Sequence, residues 1–379
     1  MMKLLRDRHD VFAVMPEGSD AKIRAYMERL GVACEYFPAH MDTSVAANVW
    51  HKVRRRLRDA RCSWVIARHM GRHDVKNAIL HADLGSWSWF WLLLYFSLRS
   101  NVFVTFHIAI PDLPLRTRLR YKCTFAILHR LRGFHPLVSN LDMRKSLEPY
   151  LPGEYLSRIP LAYTGVDCAE IRQVLGESYD RREILGKYGL PGDRFLVFSL
   201  GQVIERKGCM VLLDAVERIR RIEPSLFFVW IGDGMQRREV ETRANDCGLK
   251  NSFRIIPPRQ IGQDRLDLLR LLRGADLFVH PSFAEGLPGA VLEAMALGKA
   301  CVASSVNAIP EAITDRETGL LVPPGDSVAL SDAILELVRG AAFRERLATA
   351  GQSHVMTHFN ERFAAEATIA TYRTCFNGI

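Results

Sequence analysis

The sequence of 379 residues lacks the features that define several large classes of protein. Its longest apolar run, Trp87–Phe96, is well short of the roughly 20 residues that a membrane-spanning helix needs. None of its eight cysteines forms a C-x-x-C pair, so neither a zinc ribbon nor a disulfide framework is predicted. No basic segment followed by an apolar one opens the chain, and we therefore expect that it has no signal peptide. We expect a cytoplasmic location, with the thiols reduced.

Repeats and low-complexity tracts are also missing, and no G-x-G-x-x-G motif follows a predicted strand. Disordered, collagen-like and solenoid proteins are thereby excluded, and a dehydrogenase is disfavoured. What remains is an ordinary globular composition, with 48% hydrophobic and 25% charged residues. The length suggests about two to three domains.

Positive charge is concentrated in the first half of the chain. Residues 1–165 hold 25 Lys and Arg against 14 Asp and Glu, whereas the remaining residues hold 26 against 28. The densest basic run, Lys52–Arg61, is either a solvated helix face or a surface helix that rests on an anionic membrane. Because no zinc-finger or RNP-type pattern accompanies it, nucleic acid is not expected as a partner.

Apolar runs alternate with helical stretches, which predicts an α/β fold with parallel sheets. In the first half the predicted strands are Asp10–Val14, Gly31–Phe37, Trp64–Ala67 and Asn101–Thr105, with shorter candidates at Pro136–Ser139 and Arg158–Leu161. In the second half they are Phe195–Gly201, Leu226–Ile231, Ser252–Ile256, Ala275–Val279, Ala300–Ser304 and Gly319–Val322. We expect two doubly wound domains, facing a cleft at the carboxyl ends of their strands.

The most specific motif is the string HPSFAEGLPGAVLEAMALG, which starts at His280. A predicted strand ends there, a loop rich in Gly and Pro follows, and a helix comes next. The N–H groups of a helix N-terminus can bind an anion, and Gly286 allows a phosphate to approach closely. Glu293 can accept two hydrogen bonds from a ribose, and Glu285 can do the same for a sugar ring. The alternative is a helix cap with a solvated glutamate.

This string resembles the E-x7-E signature of the family 4 retaining glycosyltransferases, which have the GT-B fold of two Rossmann-like domains. The resemblance implies that Glu285 positions the transferred sugar. The donor-binding residues that it implies in this loop and helix are Gly286, Leu287, Pro288 and Glu293. It also implies that His107, behind a predicted strand, faces the reaction centre from the acceptor side. The alternative for His107 is a satisfied polar residue at a strand end.

A second loop, GQVIERKG over 201–208, resembles the family's diphosphate-binding loop. Lys207 matches the family's lysine. Gln202 stands where many relatives have Arg, and it can donate a hydrogen bond but brings no charge. The turn that ends at Gly234 resembles the loop beside the nucleotide. By itself that turn is equally well explained as a tight turn that needs a positive φ.

The resemblance divides the chain into an acceptor-side domain (1–167), a nucleotide-sugar-binding domain (168–355) and a helix (356–379) that crosses back to the first domain. Family members begin with a strand and a glycine-rich loop before a long helix. Here Met1–Asp10 resembles the end of that helix, and Val11 begins the second strand. Either the start codon is placed late, or the chain is truncated at its start, or the first domain is rebuilt. In each case we expect an exposed internal edge beside Val11–Val14.

The implied activity is transfer of a sugar, with retention of configuration, from a nucleotide-sugar to a glycan, a lipid-linked acceptor or a cell-surface polysaccharide precursor. Lys207 and helix N–H groups would stabilise the leaving diphosphate, so neither a metal nor another cofactor is expected. An inactive nucleotide-sugar-binding module stays open as an alternative, and a GT-B sugar epimerase is less favoured. The stretch Trp87–Leu94 is either a core helix or an apolar surface. With Lys52–Arg61 it suggests peripheral contact with the inner membrane face.

Overall fold

The computed structural model describes residues 90–374 apart from 108, 111 and 263. Before residue 90 it describes residues 12–16, 30–37, 64–68 and 79–84 and the single residues 24, 27, 28, 50, 60 and 61. Contacts divide the chain into two compact units. Unit 1 consists of residues 1–162 and 365–379, and unit 2 consists of residues 163–364.

The described part of unit 1 has parallel strands flanked by helices. Its strands are β1 (Phe12–Pro16), β2 (Ala33–Phe37), β3 (Ile79–Leu84), β4 (Asn101–Phe106) and β5 (Phe134–Val138). β1 pairs with β2, and β4 lies between β3 and β5. Its helices are α1 (Phe90–Ser97), α2 (Leu115–Leu128), α3 (Leu141–Ser146) and α4 (Gly153–Ser157).

Two of the predicted strands in unit 1 are wrong. Residues 64–68 are helical, with Trp64 and Arg68 exposed and the three residues between them half-buried. A short apolar run fits a strand or a helical turn equally well, and periodicity alone does not separate them. The third strand is β3, whose sequence ILHADL places polar residues among apolar ones. Arg158–Leu161 contributes only an isolated bridge, from Leu161 to Val138.

The predicted truncation falls on residues 1–11, which lie outside the described residues. The edge beside Val11–Val14 therefore stays a prediction.

Unit 2 contains a six-stranded parallel sheet that confirms the strands predicted for the second half. The strands are β6 (Leu196–Leu200), β7 (Phe227–Ile231), β8 (Phe253–Ile256), β9 (Leu277–His280), β10 (Cys301–Ser304) and β11 (Leu320–Val322). Their order in the sheet is β11-β10-β9-β6-β7-β8. Successive residues of one strand enter different core clusters, as Val197 and Phe198 do. Both faces of the sheet are therefore covered, as in doubly wound proteins.

The helices of unit 2 precede, connect and follow these strands. They are α5 (Cys168–Gly176), α6 (Arg181–Gly186), α7 (Cys209–Arg220), α8 (Arg237–Asp246), α9 (Arg265–Arg273), α10 (Gly289–Ala296), α11 (Ile309–Ala312), α12 (Ser327–Arg339) and α13 (Ala341–His358). Asp167, Asp180, Asp264 and Asp326 cap α5, α6, α9 and α12 by accepting hydrogen bonds from backbone N–H groups. The last helix, α14 (Glu361–Arg373), contributes residues to both units.

The strand order of unit 2 places a topological switch point between β6 and β9. From β6 the chain builds outward to β7 and β8, and it then returns to the other side of β6 to build β9, β10 and β11. Loops after β6 and β9 therefore leave the sheet in opposite directions. Open parallel sheets bind their ligands in the crevice that this creates at the carboxyl ends of the strands.

Candidate functional site

Three loops meet at the carboxyl ends of the adjacent strands β9, β6 and β7. They span residues 281–288, 201–208 and 232–236. The backbone N–H of Val203 donates to Asp233 O at 2.9 Å, and that of Phe283 donates to Arg206 O at 2.8 Å. The Arg206 guanidinium returns a hydrogen bond to Ala284 O at 2.6 Å. The two loops that the sequence assigned to the nucleotide are thus joined to the E-x7-E loop by backbone contacts.

Glycines allow these loops to approach so closely. At Gly208 the φ angle is +72°, and a Cβ atom would lie 1.9 Å from the carbonyl oxygen of Pro281. At Gly234 a Cβ atom would lie 2.4 Å from the carbonyl oxygen of Val203. Gly234 is not among the glycines with positive φ. Close contact between backbones, rather than a left-handed conformation, therefore explains glycine at this position.

The centre of the site is the buried carboxylate of Glu285. Its Oε1 atom lies 2.5 Å from Lys207 Nζ, 2.6 Å from Ser282 Oγ and 2.9 Å from His280 Nε2. Its other oxygen lies 3.6 Å from the Arg206 guanidinium. The side chain of Lys207 is 14% exposed and that of Glu285 is 6% exposed. The ion pair is therefore largely withdrawn from water.

The partners of Glu285 keep it ionised. Burial alone would raise the pKa of its carboxyl group, but the hydrogen bond and charge of His280 and the Lys207 ammonium outweigh that effect and lower the pKa to about 2. A buried carboxylate with this pKa carries a negative charge throughout the ordinary pH range. It can accept hydrogen bonds but cannot donate a proton.

The helix α10 begins directly after this loop. Pro288 occupies its N-cap position, and no side chain of the described residues caps the helix. The first N–H groups of a helix have no partner within the helix, so an uncapped N-terminus suits an anionic ligand. Of the predicted donor-binding residues in this loop, Leu287 and Pro288 are buried and Gly286 is half-buried.

The second glutamate of the signature, Glu293, lies in α10 among buried apolar residues. Its Oε1 atom accepts a hydrogen bond from Arg265 Nη2 at 2.6 Å, and Arg265 Nε donates to Glu170 Oε2 at 2.8 Å. Burial raises the pKa of Glu293, and Arg265 opposes that rise. Arg265 thus bridges two carboxylates from α5 and α10.

Arg265 was missed by the sequence analysis because it lies outside every motif. One signal was available in retrospect. Arg265 is the first residue of α9, where a positive charge opposes the helix dipole. A cation at that position gains stability from carboxylates supplied by other elements, and Glu170 and Glu293 provide them.

The remaining predicted residues lie apart from the Glu285 network. Gln202 follows β6 and is exposed. His107 follows β4 in unit 1, where it is half-buried and its carbonyl oxygen accepts a hydrogen bond from Asn140 Nδ2 at 3.3 Å. The other predicted site residues all belong to unit 2. The roles of Gln202 and His107 stay predictions.

Fold and site together define the class of protein to which the chain belongs. The chain is an α/β protein whose second unit carries a cation–carboxylate network and an open helix N-terminus at the switch point of a parallel sheet. Residues 180–354 match the family model described as glycosyl transferases group 1. The resemblance to family 4 glycosyltransferases is thereby confirmed.

Curated relatives agree with this match. The chain is 30% identical over 181 residues to the lipopolysaccharide core biosynthesis glycosyltransferase LpsE of Rhizobium meliloti, an alignment that covers 48% of this chain and 50% of that protein. It is 34% identical over 181 residues to the phosphatidyl-myo-inositol mannosyltransferase of Mycobacterium leprae, covering 47% of this chain and 46% of that protein. The chain thus spans about half the length of these relatives.

Solved structures extend the likeness of fold to the whole chain. A glycosyltransferase from Rickettsia africae superposes with a TM-score of 0.75 at 17% identity, covering 100% of this chain and 93% of that one. The HepE protein of Anabaena in complex with UDP gives a TM-score of 0.71 at 16% identity, covering 99% and 95%. The predicted GT-B fold class is confirmed.

Proposed function

We propose that the chain is a retaining glycosyltransferase, which moves a sugar from a nucleoside diphosphate to an acceptor hydroxyl. The observation that carries the proposal is the buried Lys207–Glu285 pair at the switch point of a group 1 glycosyltransferase domain. A cation and a carboxylate held together there match the two demands of the chemistry. The leaving diphosphate needs positive charge, and the sugar needs a hydrogen-bond acceptor.

Each residue has a distinct part in this proposal. The Lys207 ammonium and the N-terminus of α10 stabilise the diphosphate, and Arg206 supplies the charge that Gln202 lacks. Glu285 accepts hydrogen bonds from the sugar, and Glu293 accepts them from the ribose. His107 contributes from the acceptor side. In this scheme, positively charged side chains of the protein itself stabilise the charge of the leaving diphosphate.

The environment of Glu285 supports a positioning role over a nucleophilic one. Its carboxylate already accepts hydrogen bonds from several donors, and its pKa is lowered to about 2, which makes it a weak nucleophile. Retaining glycosidases instead use a carboxylate that attacks the sugar, paired with a second that donates a proton. We therefore propose that the acceptor attacks on the face from which the diphosphate leaves.

The acceptor that we propose is a glycan or a lipid-linked precursor of a cell-surface polysaccharide. The names of two relatives support it, LpsE and the amylovoran biosynthesis glycosyltransferase AmsK of Erwinia amylovora, which is 30% identical over 176 residues. For the donor, the UDP complex of HepE supports a nucleoside diphosphate sugar. We also propose a peripheral location at the inner membrane face. Within the part of the chain that the structure describes, no helix has both the length and the apolarity to cross a bilayer.

The test is a panel of nucleotide-sugars, screened first for thermal stabilisation of the purified chain and then for turnover. We expect one donor to raise the melting temperature, and we expect its hydrolysis or transfer to give a product with the anomeric configuration of the donor, as measured by NMR. Stabilisation without any turnover would instead favour the inactive binding module. Inversion of configuration would contradict the mechanism.

A further inference from the structure

The helix α2 (Leu115–Leu128) exposes a line of apolar side chains. Leu115 is 71% exposed, Leu119 53% and Ile127 45%, and the side chain of Cys123 between them is also exposed. These four positions are each four residues apart, so they are neighbours along one side of the helix. We call them the α2 stripe. On the opposite side, Phe125 and Leu128 are fully buried.

Basic residues flank the α2 stripe on both sides. At 100° per residue, Arg116 and Arg120 fall on one side of it, whereas Arg118 and Lys122 fall on the other. All four are exposed, and the helix contains no Asp or Glu. Exposed helices usually gain stability from pairs of opposite charge four residues apart. Here the residues at that spacing, Arg116 with Arg120 and Arg118 with Lys122, carry the same charge. Asp112, just before the helix, is the acid nearest to it in sequence.

The neighbouring helix α1 extends the exposed apolar surface. α1 contacts α2, and the two share one hydrophobic core through Leu93 and Phe125. Trp91 of α1 is 70% exposed, and Leu98 just beyond its end is 64% exposed. Tryptophan favours the boundary between water and lipid, because its ring is apolar and its N–H is polar.

We propose that the α2 stripe, together with Trp91 and Leu98, is the face that docks this chain on an anionic lipid bilayer. The apolar side chains would enter the boundary between headgroups and acyl chains, while Arg116, Arg118, Arg120 and Lys122 meet lipid phosphates. Contiguous exposed apolar surface that is rimmed by polar residues marks a site that contacts a protein or a membrane. Positive charge on both sides selects a negatively charged partner surface.

This inference deepens the proposed peripheral location and rests on it. It also moves the contact from Lys52–Arg61, most of which lies outside the described residues, to α2. The donor site of unit 2 has no part in it. Membrane docking and nucleotide binding can therefore fail separately.

The test is flotation of the purified full chain with vesicles of phosphatidylcholine, either alone or mixed with phosphatidylglycerol. We expect the chain to float only with the mixed vesicles, and less so as salt is raised. Removing the apolar line by Leu115→Ser with Leu119→Ser should reduce the bound fraction at least about tenfold. Reversing charge by Arg118→Glu with Lys122→Glu should reduce it by a similar factor.

The matched control is Leu141→Ser, which changes an exposed leucine (44%) at the start of α3 in the same unit. It should float as the unchanged chain does. All variants should keep the nucleotide-dependent rise in melting temperature, which shows that they are folded. The proposal is overturned if the unchanged chain does not float with anionic vesicles, which is the result expected if the α2 stripe instead binds an acidic protein. It is also overturned if the Leu115 and Leu119 double variant floats normally.

Discussion

The two glutamates of the signature differ in what holds their charge. Glu285 has Lys207 and His280 close to its carboxylate, and its pKa is lowered. Glu293 has Arg265 as its cationic partner, and burial still raises its pKa. The negative charge of Glu293 therefore depends on a residue from outside the motif. A ribose-binding role needs that charge, because an ionised carboxylate accepts stronger hydrogen bonds than a protonated one.

Replacing Arg265 should make nucleotide binding depend on pH. In Arg265→Met the burial of Glu293 is no longer opposed, so the pKa of Glu293 rises further. Affinity for a nucleoside diphosphate, measured by calorimetry, should be weaker than that of the unchanged chain and should recover as the pH is raised, because Glu293 then ionises. Arg265→Lys, which keeps the charge, should restore most of the affinity. A Met variant with the pH profile of the unchanged chain would refute this role.

Glu285 should stabilise unit 2 as well as position a sugar. Its pKa is lowered from 4.5 to about 2, so its contribution is complete above pH 4.5 and is lost as the pH falls from 4.5 towards 2. Glu285→Gln removes the carboxylate and leaves the mostly buried Lys207 unpaired, which should cost about 3–5 kcal/mol of unfolding free energy. Urea unfolding across acid pH measures both effects. The Gln variant should lose this part of the acid dependence, and equal stability of the two chains would contradict the account.

At the scale of elements, the sequence predicts unit 2 better than unit 1. The strands of unit 2 are mostly apolar runs such as LFFVWI, because the sheet is covered on both faces, and β6 and β7 are each followed by a glycine. In unit 1, β3 contains His81 and Asp83, and the more apolar residues 64–67 form helix instead. The Arg265–Glu293 contact was not predictable from spacing, since it joins α9 to α10 only after both have packed.

The close contact between the loop after β6 and the loop after β9 should be lost if Gly208 is replaced by a residue with a side chain. In Gly208→Ala the new Cβ atom would collide with the Pro281 carbonyl at a φ of +72°. We expect the free energy of unfolding to fall by about 1–3 kcal/mol. We also expect a lower affinity for the nucleotide, because the loop that carries Lys207 must shift. Chemical unfolding and calorimetry measure the two effects.

The matched control for that change is Gly186→Ala, at the end of α6, where a Cβ atom meets nothing within 4 Å. It should be neutral or slightly stabilising, because glycine is a poor helix former. If Gly208→Ala behaves like this control, the close approach of the two loops is not required.

At the scale of the whole molecule, the proposed roles separate by unit. The residues proposed to bind the donor belong to unit 2, which the family model covers over 180–354, whereas His107 and the α2 stripe belong to unit 1. The fold class was predictable for both units from the alternation of strands and helices. The α2 stripe was not predicted, because apolar residues four apart on a helix usually face the core, and only the structure shows that these face outward.

Because His107 lies in unit 1, its replacement should separate binding from turnover. His107→Ala should leave nucleotide affinity within about twofold of the unchanged chain and lower kcat by about 10²-fold or more, as expected for loss of a group that acts near the reacting atoms. Steady-state kinetics with the donor found in the panel provides the measurement. An unchanged kcat would show that His107 is only a polar residue at the end of a strand and takes no part in the reaction.

The most direct measurement is the calorimetric affinity of a nucleoside diphosphate for Lys207→Ala. Lys250→Ala, an exposed lysine of the same unit, is its control. If Lys207 holds the diphosphate from within its pair with Glu285, its removal should weaken binding at least about tenfold while the control binds normally. Equal affinity in both variants would contradict the account, because it would show that Lys207 does not hold the diphosphate.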